Sequence, residues 1–450
     1  MKSILKVIFA IFLLLLISFS LAFTYNVWYE KESVEVSSHH NQYANVNSHL
    51  PIVVVNHQNP IKKESTCWAQ IKIIDNSIGQ KSFESSATIK YRGQSSYLSL
   101  KKQYRIELYK KQKGITKNNK AVMGMNKESD WILNGPFLDR SLIRNKLMYD
   151  LAKQLFNYAP DSRFCELFIN DKYLGLYLMT EKIKVSDNRI NLANFSLING
   201  ETAYLIRRER PGTEQNAINT YGSFLGYTSH ELSIEYPSPK NLLDNQKKWI
   251  IEDVNNFERV LYSKSFANPY KGYLAYIDLQ SFVDYYILNE FAMVKDAGYL
   301  STYIYKNLAG KLKATVWDFN NCLDNYVEAC DTSKFYVNSN NWFQRLLQDK
   351  YFVEAVVKRY YELRKGILSE KSLINKINSE ITYLGDAVKR NYEVWGYVFE
   401  TNMLQKTADN QVRDPKNYTE AVEQLKQTII DRGKFLDDNI TKLYENTSCP

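Results

Sequence analysis

The chain has 450 residues, 44% hydrophobic and 24% charged, a balance that excludes disordered, collagen-like and disulfide-scaffold proteins. Lys and Arg number 58 against 49 Asp and Glu, a net charge of +9. This modest excess suits an acidic or phosphate-bearing partner, and an ordinary solvated surface accounts for it equally. There is no zinc-ligand spacing and no basic stripe interleaved with aromatics, so nothing points to nucleic acid.

Lys2 and Lys6 precede a nearly unbroken apolar run from Val7 to Phe23. With its flanks the run reaches about 20 residues, close to what a bilayer core requires. Trp28 and Tyr29 follow where interfacial aromatics belong. Residues 1–28 are expected to be a signal anchor, with a cleaved signal peptide ending near Ser20-Leu21-Ala22 as the alternative. Residues 29–50 form a polar tether. The positive end stays inside, which places the rest of the chain outside the membrane. Of five cysteines, Cys322 and Cys330 are close enough to bridge a loop, and the odd count leaves at least one unpaired.

From Ile52 the pattern turns to strands. Ile52–Val55 is a short apolar run, and Trp68–Ile73 and Thr88–Tyr91 alternate with period two. Arg92–Ser96 reads as a turn, followed by a strand over 103–108. Its alternation puts Tyr104, Ile106 and Leu108 on one face, in phase with Lys102. Such a lysine either snorkels to water at the strand end or points into a cleft. Asp139 is a plausible cap for a helix carrying Leu142, Ile143, Leu147, Leu151 and Leu155, which Pro160 ends. Arg140 and Arg144 lie one turn apart on it. Strands over 164–169 and 174–179 follow, joined by the turn Asn170-Asp171-Lys172. Residues 186–245 mix loops and short strands. Helices are predicted over 246–262 and 279–294, then a hairpin over 303–317, then mostly helices from Trp342 to Tyr444.

This order, strands then helices with one inserted hairpin, predicts an α+β protein with a β-rich N-terminal lobe and a helical C-terminal lobe. Asp296 follows a buried helix and Asp318 ends the return strand of the hairpin. A hairpin brings its outer ends together, so the two carboxylates should meet. Such a pair can hold Mg²⁺, and phosphoryl transfer needs that neutralisation together with basic groups on the phosphates. Lys102 and the Arg140/Arg144 pair are the basic candidates. Solvent-exposed loop carboxylates have the same appearance in sequence.

The segments KYRGQSSYLSLKKQYRIEL (90–108), WILNGPFLDRSLIRNKLMYDLA (131–152), CELFINDKYLGLYLMTEKIK (165–184) and VWDFNN (316–321) resemble the spore coat protein H family, the CotH kinases. The resemblance runs in order from about residue 50 to at least 360. It implies an atypical protein-kinase-like bilobal fold, with an N-lobe over 51–185 and a mainly helical C-lobe over 186–450. It implies an exported enzyme that binds ATP with Mg²⁺ or Mn²⁺ and phosphorylates Ser/Thr of secreted or spore-coat proteins, or of itself. The alternative it carries is an inactive kinase-like fold used for surface binding or coat assembly. By the same resemblance Asp318 is a metal ligand, and Asp296 a second ligand or the group that orients the hydroxyl. Lys102 is assigned to the phosphates with Lys101 as competitor, and Arg144 contacts phosphate or pairs with an acid. Met179 and Glu181 lie where a kinase hinge would hold adenine, and Glu181 could instead pair with Lys102. Many members carry a second acid two residues after the metal-binding Asp. Here that position is Asn320, which can still ligate the metal through its amide oxygen but adds no negative charge, with Asp324 available to compensate. No GxGxxG covers the nucleotide site, and only Gly93 lies near such a loop.

Overall fold

The computed structural model describes residues 46–447 apart from 76, 78, 80, 95, 195–199, 211–215, 228–230, 340 and 408. The predicted anchor at 1–28 and most of the tether lie outside the described residues. Among the described residues no helix is long and apolar enough to cross a membrane. The described residues from Asn47 onward form one compact unit.

The chain opens with β1 (Ile52–His57), β2 (Cys67–Ile74), β3 (Phe83–Arg92) and β4 (Gln103–Tyr109), each antiparallel to the one before. A small hairpin, β5 (Lys120–Val122) and β6 (Met125–Glu128), precedes β7 (Asp130–Asn134), which pairs with β4. After helix α1 (Arg144–Ala152) come β8 (Ser162–Ile169) and β9 (Lys172–Glu181), linked by a turn with Asn170 and Asp171 at φ +47° and +63°. Two successive positive φ values match the twist of a tight hairpin, and Asn and Asp tolerate them. β9 pairs with both β7 and β8, and β8 closes onto β1 in parallel. The result is a closed barrel of order β1-β2-β3-β4-β7-β9-β8.

Period-two alternation fills it. Val53, Val55, Ile71, Ile89, Ile106, Leu133, Leu167 and Met179 point inward to one core. The opposite faces of β8 and β9, through Phe164, Leu176 and Leu178, join the larger helical core instead. Those two strands therefore hold both halves of the chain together.

The second half is built on a five-stranded sheet of order β11-β12-β10-β13-β14: β10 (Tyr204–Glu209), β11 (Ala217–Ile218), β12 (Glu231–Tyr236), β13 (Thr302–Lys306) and β14 (Lys313–Thr315). Between these strands run the short α2 (Tyr221–Phe224), α3 (Asp244–Leu261) and α4 (Leu279–Phe291). α4 is buried from Ser281 to Phe291, with the polar Asp284, Asn289 and Glu290 buried among its apolar residues, and Asp278 caps it by accepting from Ser281 N at 3.0 Å. α5 (Asn341–Leu346), α6 (Lys350–Arg364), α7 (Glu370–Leu384), α8 (Asp386–Trp395) and α9 (Tyr418–Asn439) complete the chain.

Two local expectations change. Helix α1 begins at Arg144 rather than beside Asp139, and Ile143 occupies its N-cap without a side-chain bond. Asp139 caps from outside the helix, accepting from Arg144 N at 2.8 Å and from Ser141 N at 3.1 Å. Cys322 and Cys330 do not bridge: Cys67, Cys165, Cys322 and Cys330 all carry free thiols.

Candidate functional site

Asp296 lies in the loop that leaves α4, and Asp318 follows β14. The β13–β14 hairpin brings them to one cleft of about 620 Å³. The barrel contributes Lys90, Arg92 and Gly93 to this cleft, and the second sheet contributes Arg207, Glu209 and Arg210. Burial raises the proton affinity of Asp296 first, and the charge of Asp318 adds to it, while Arg210 and Lys295 pull the other way. The same field reaches Tyr149, whose hydroxyl burial and then Asp318 push upward.

Asp318 is a non-glycine residue at φ +64°, in the left-handed region that Asp visits more readily than most residues. Its N–H donates to the Tyr149 hydroxyl at 3.3 Å. The amide of Asn320 donates to the Asp318 carboxylate. The Asn320 side-chain oxygen accepts from Asn134 Nδ2 at 3.0 Å and from Asn145 Nδ2. Both lone pairs of that oxygen are thus used, and Asn320 acts on Asp318 rather than as a ligand itself. Asp324 does not replace a missing acid. Its carboxylate accepts from Arg413 NH2 at 2.7 Å and from Nε at 3.2 Å.

The basic groups differ from expectation. Lys102 is not among the residues lining the cleft; its Nζ donates to the Tyr97 carbonyl at 2.7 Å. Lys101 is buried, donates to Asn391 Oδ1 at 2.7 Å and lies over the rings of Tyr177 and Trp395. Arg140 is ion-paired with Asp414. Arg144 pairs with Asp139 at 2.6 Å and donates to the Leu323 carbonyl at 3.2 Å, so of its two expected uses it takes the acid. Arg92, the last residue of β3, lines the cleft. Its guanidinium lies 5.8 Å from the Trp317 ring and donates to the neutral Gln103 amide oxygen at 2.6 Å.

Met179 and Glu181 do not form a hinge. β9 is flanked on both sides, with Met179 opposite Leu133 and opposite Arg163, and its side chain is in the barrel core. Glu181 is buried and accepts from Asp161 N at 3.2 Å. Neither residue lines the cleft.

Gly93 and Gly135 shape the cleft wall. Gly93 has φ +96°, and a Cβ there would lie 1.9 Å from Ser96 Oγ. A Cβ on Gly135 would meet the Lys102 carbonyl and the Tyr177 ring at 2.9 Å.

Among the described residues no group of three or more His, Cys, Asp or Glu is placed to hold a metal. Two carboxylates suffice for a hard cation whose other ligands are phosphate oxygens and water, which is how Mg²⁺ commonly binds. Burial first and the Asp318 charge second raise the proton affinity of Asp296, and a cation between the two carboxylates would offset the second cause.

A mixed α+β chain with two aspartates at a cleft lined by both acidic and basic side chains has parts that phosphoryl transfer uses. The chain belongs to the CotH kinase family: the family model, CotH kinase protein, matches residues 89–436, 348 of the 450. No curated protein matches it. The match spans the barrel from β3 onward, both aspartates and most of α9.

Proposed function

We propose that the protein is an exported, ATP-dependent protein kinase that transfers the γ-phosphoryl group to Ser/Thr of secreted or spore-coat proteins, or to itself. The barrel serves as the N-lobe and the remainder as the C-lobe of a kinase-like bilobal fold, and residues 1–28 hold the chain at the membrane or are removed on secretion. The observation that carries the reading is the convergence of Asp296 and Asp318 on a cleft that Arg92, Lys90, Arg207 and Arg210 also line.

ATP is the phosphoryl donor; Asp318 would hold the Mg²⁺ or Mn²⁺ that neutralises its phosphates, with Asp296 beside it to orient the acceptor hydroxyl. Arg92 would contact phosphate oxygens from the barrel side. The acceptor oxygen bonds to the γ-phosphorus as the bond from that phosphorus to the bridging oxygen breaks. ADP leaves with the electron pair, and the hydroxyl proton passes to the Asp296 carboxylate.

The test is labelled ATP with Mg²⁺ or Mn²⁺ on the purified chain, beside Asp318→Ala and Asp296→Ala. Phosphoryl incorporation is expected to fall at least 100-fold in both variants, the scale for loss of a charge-stabilising or acid–base group. Equal labelling of all three proteins sinks the enzyme reading. A wild-type chain that binds no ATP favours the surface-binding or coat-assembly alternative.

A further inference from the structure

Helix α1 touches the 318–323 segment at three points. Arg144 donates to the Leu323 carbonyl at 3.2 Å, Asn145 Oδ1 accepts from Phe319 N at 3.0 Å, and Tyr149 accepts from Asp318 N at 3.3 Å. The first two turns of one helix therefore span both ends of the segment that carries Asp318. Asn145 has the most consequential position of the three. It is buried, and both ends of its amide are used, the oxygen on the Phe319 backbone and the nitrogen on the Asn320 side chain.

Asn320 is a reversible group, since its amide can present either oxygen or nitrogen to a neighbour. Two donors on its oxygen, from Asn134 and Asn145, leave its nitrogen facing the Asp318 carboxylate. Without those donors a flipped amide would set oxygen against carboxylate and push Asp318 out of place. Asp318 lies at φ +64°, an uncommon conformation that Asp adopts more readily than most residues, and it is these bonds that set the direction of its carboxylate.

We propose that Asn145 is the positioning residue of this site: through the Phe319 backbone and the Asn320 amide it fixes the direction in which Asp318 presents its carboxylate to a divalent cation. The inference rests on the phosphoryl-transfer reading, and its test separates the two. Asn145→Asp keeps the shape and the acceptor for Phe319 N, and replaces the donor to Asn320 by an acceptor. Binding of a non-hydrolysable ATP analogue is titrated with Mn²⁺, and thermal stability is measured on the same samples.

The Mn²⁺ midpoint is expected to rise by about 10–100-fold in Asn145→Asp, the usual cost of disturbing a group that orients a metal ligand. Nucleotide binding in chelator is expected to be unchanged. Asn134→Ala removes only one of the two donors and is expected to raise the midpoint several-fold less, and it carries the test if Asn145→Asp fails to fold. A lowered melting temperature with a wild-type Mn²⁺ midpoint makes Asn145 merely structural and overturns the assignment. A wild-type chain that binds no nucleotide with Mn²⁺ removes the phosphoryl-transfer reading and this inference with it.

Discussion

Replacing Arg390 by Ala tests how the barrel is held to the helices. Glu166 on β8 is buried, and its carboxylate accepts from Arg390 Nε at 2.9 Å, from Arg390 NH2 and from the Tyr173 hydroxyl at 2.6 Å. Glu166 lies opposite Ile52 where β8 closes onto β1, so α8 is pinned to the barrel seam. Burial acts to raise the Glu166 carboxyl, and the bonds from Arg390, Ser48 and Tyr173 overcome it to hold it below the usual range. Removing one partner of a buried pair costs about 3–5 kcal/mol. The lower end applies here, because Tyr173 remains and the Arg390 side chain is 20% exposed. With an unfolding entropy of about 2.1 cal/mol/K per residue over roughly 400 residues, about 3 kcal/mol corresponds to a fall of about 3–4 °C in melting temperature. The pH dependence separates charge from packing. In the wild type the depressed carboxyl contributes stability above its unfolded value, about 4.3, and that contribution is lost as pH falls through the folded value. In the variant a buried carboxylate without its cation is destabilising at neutral pH and is relieved on protonation. The gap between the two melting temperatures is therefore expected to be widest near pH 7 and to narrow toward pH 4. A gap of constant size over that range, followed by calorimetry, would refute the electrostatic account.

Lys101→Met is expected to raise the melting temperature at pH 7. Burial holds the Lys101 ammonium well below its ordinary range, and an apolar side chain of similar volume removes that penalty. Between the folded and unfolded values the unfolded chain binds the extra proton, so wild-type stability rises with pH. The advantage of Lys101→Met should thus fade toward pH 10, and a gain that persists there contradicts the lysine-burial explanation. Arg92→Met is expected to weaken nucleotide binding by roughly 10–100-fold, the worth of a charge-assisted hydrogen bond to phosphate. Calorimetric titration with ATP analogue and Mg²⁺ checks it, and an unchanged affinity removes Arg92 from the phosphate site.

The strands were legible because one face of each is buried, which enforces period two. Val53/Val55, Ile71/Ile73 and Ile106/Leu108 all point to the barrel core. Closure of the barrel was not legible, since it depends on a parallel pairing of β1 with β8, more than 100 residues apart, and no local pattern encodes that. The phase of Lys102 misled for a related reason. Lys101, Gln103 and Tyr104 are all buried, so the alternation of β4 does not extend back past Gln103. A basic residue in apolar phase just outside a strand is weak evidence for a cleft.

The site divides along the same line between local and distant causes. Asp296 and Asp318 were legible together because any hairpin joins its outer ends, whatever surrounds it. The place of Arg92 in the cleft lining had a local signal, a cation at the last strand position before the Gly93 turn of the RGQSS segment. The role of Asn320 had none. Its residue type admits metal ligation through oxygen and donation through nitrogen alike, and the choice is made by Asn134 and Asn145, brought to it from β7 and α1. α1 reaches Asp318 itself through Tyr149 and the far end of the segment through Arg144, and neither Tyr149 nor Arg144 is among the residues lining the cleft, so the contacts that place the carboxylate lie behind the wall, where no pattern local to the 316–321 segment could reveal them.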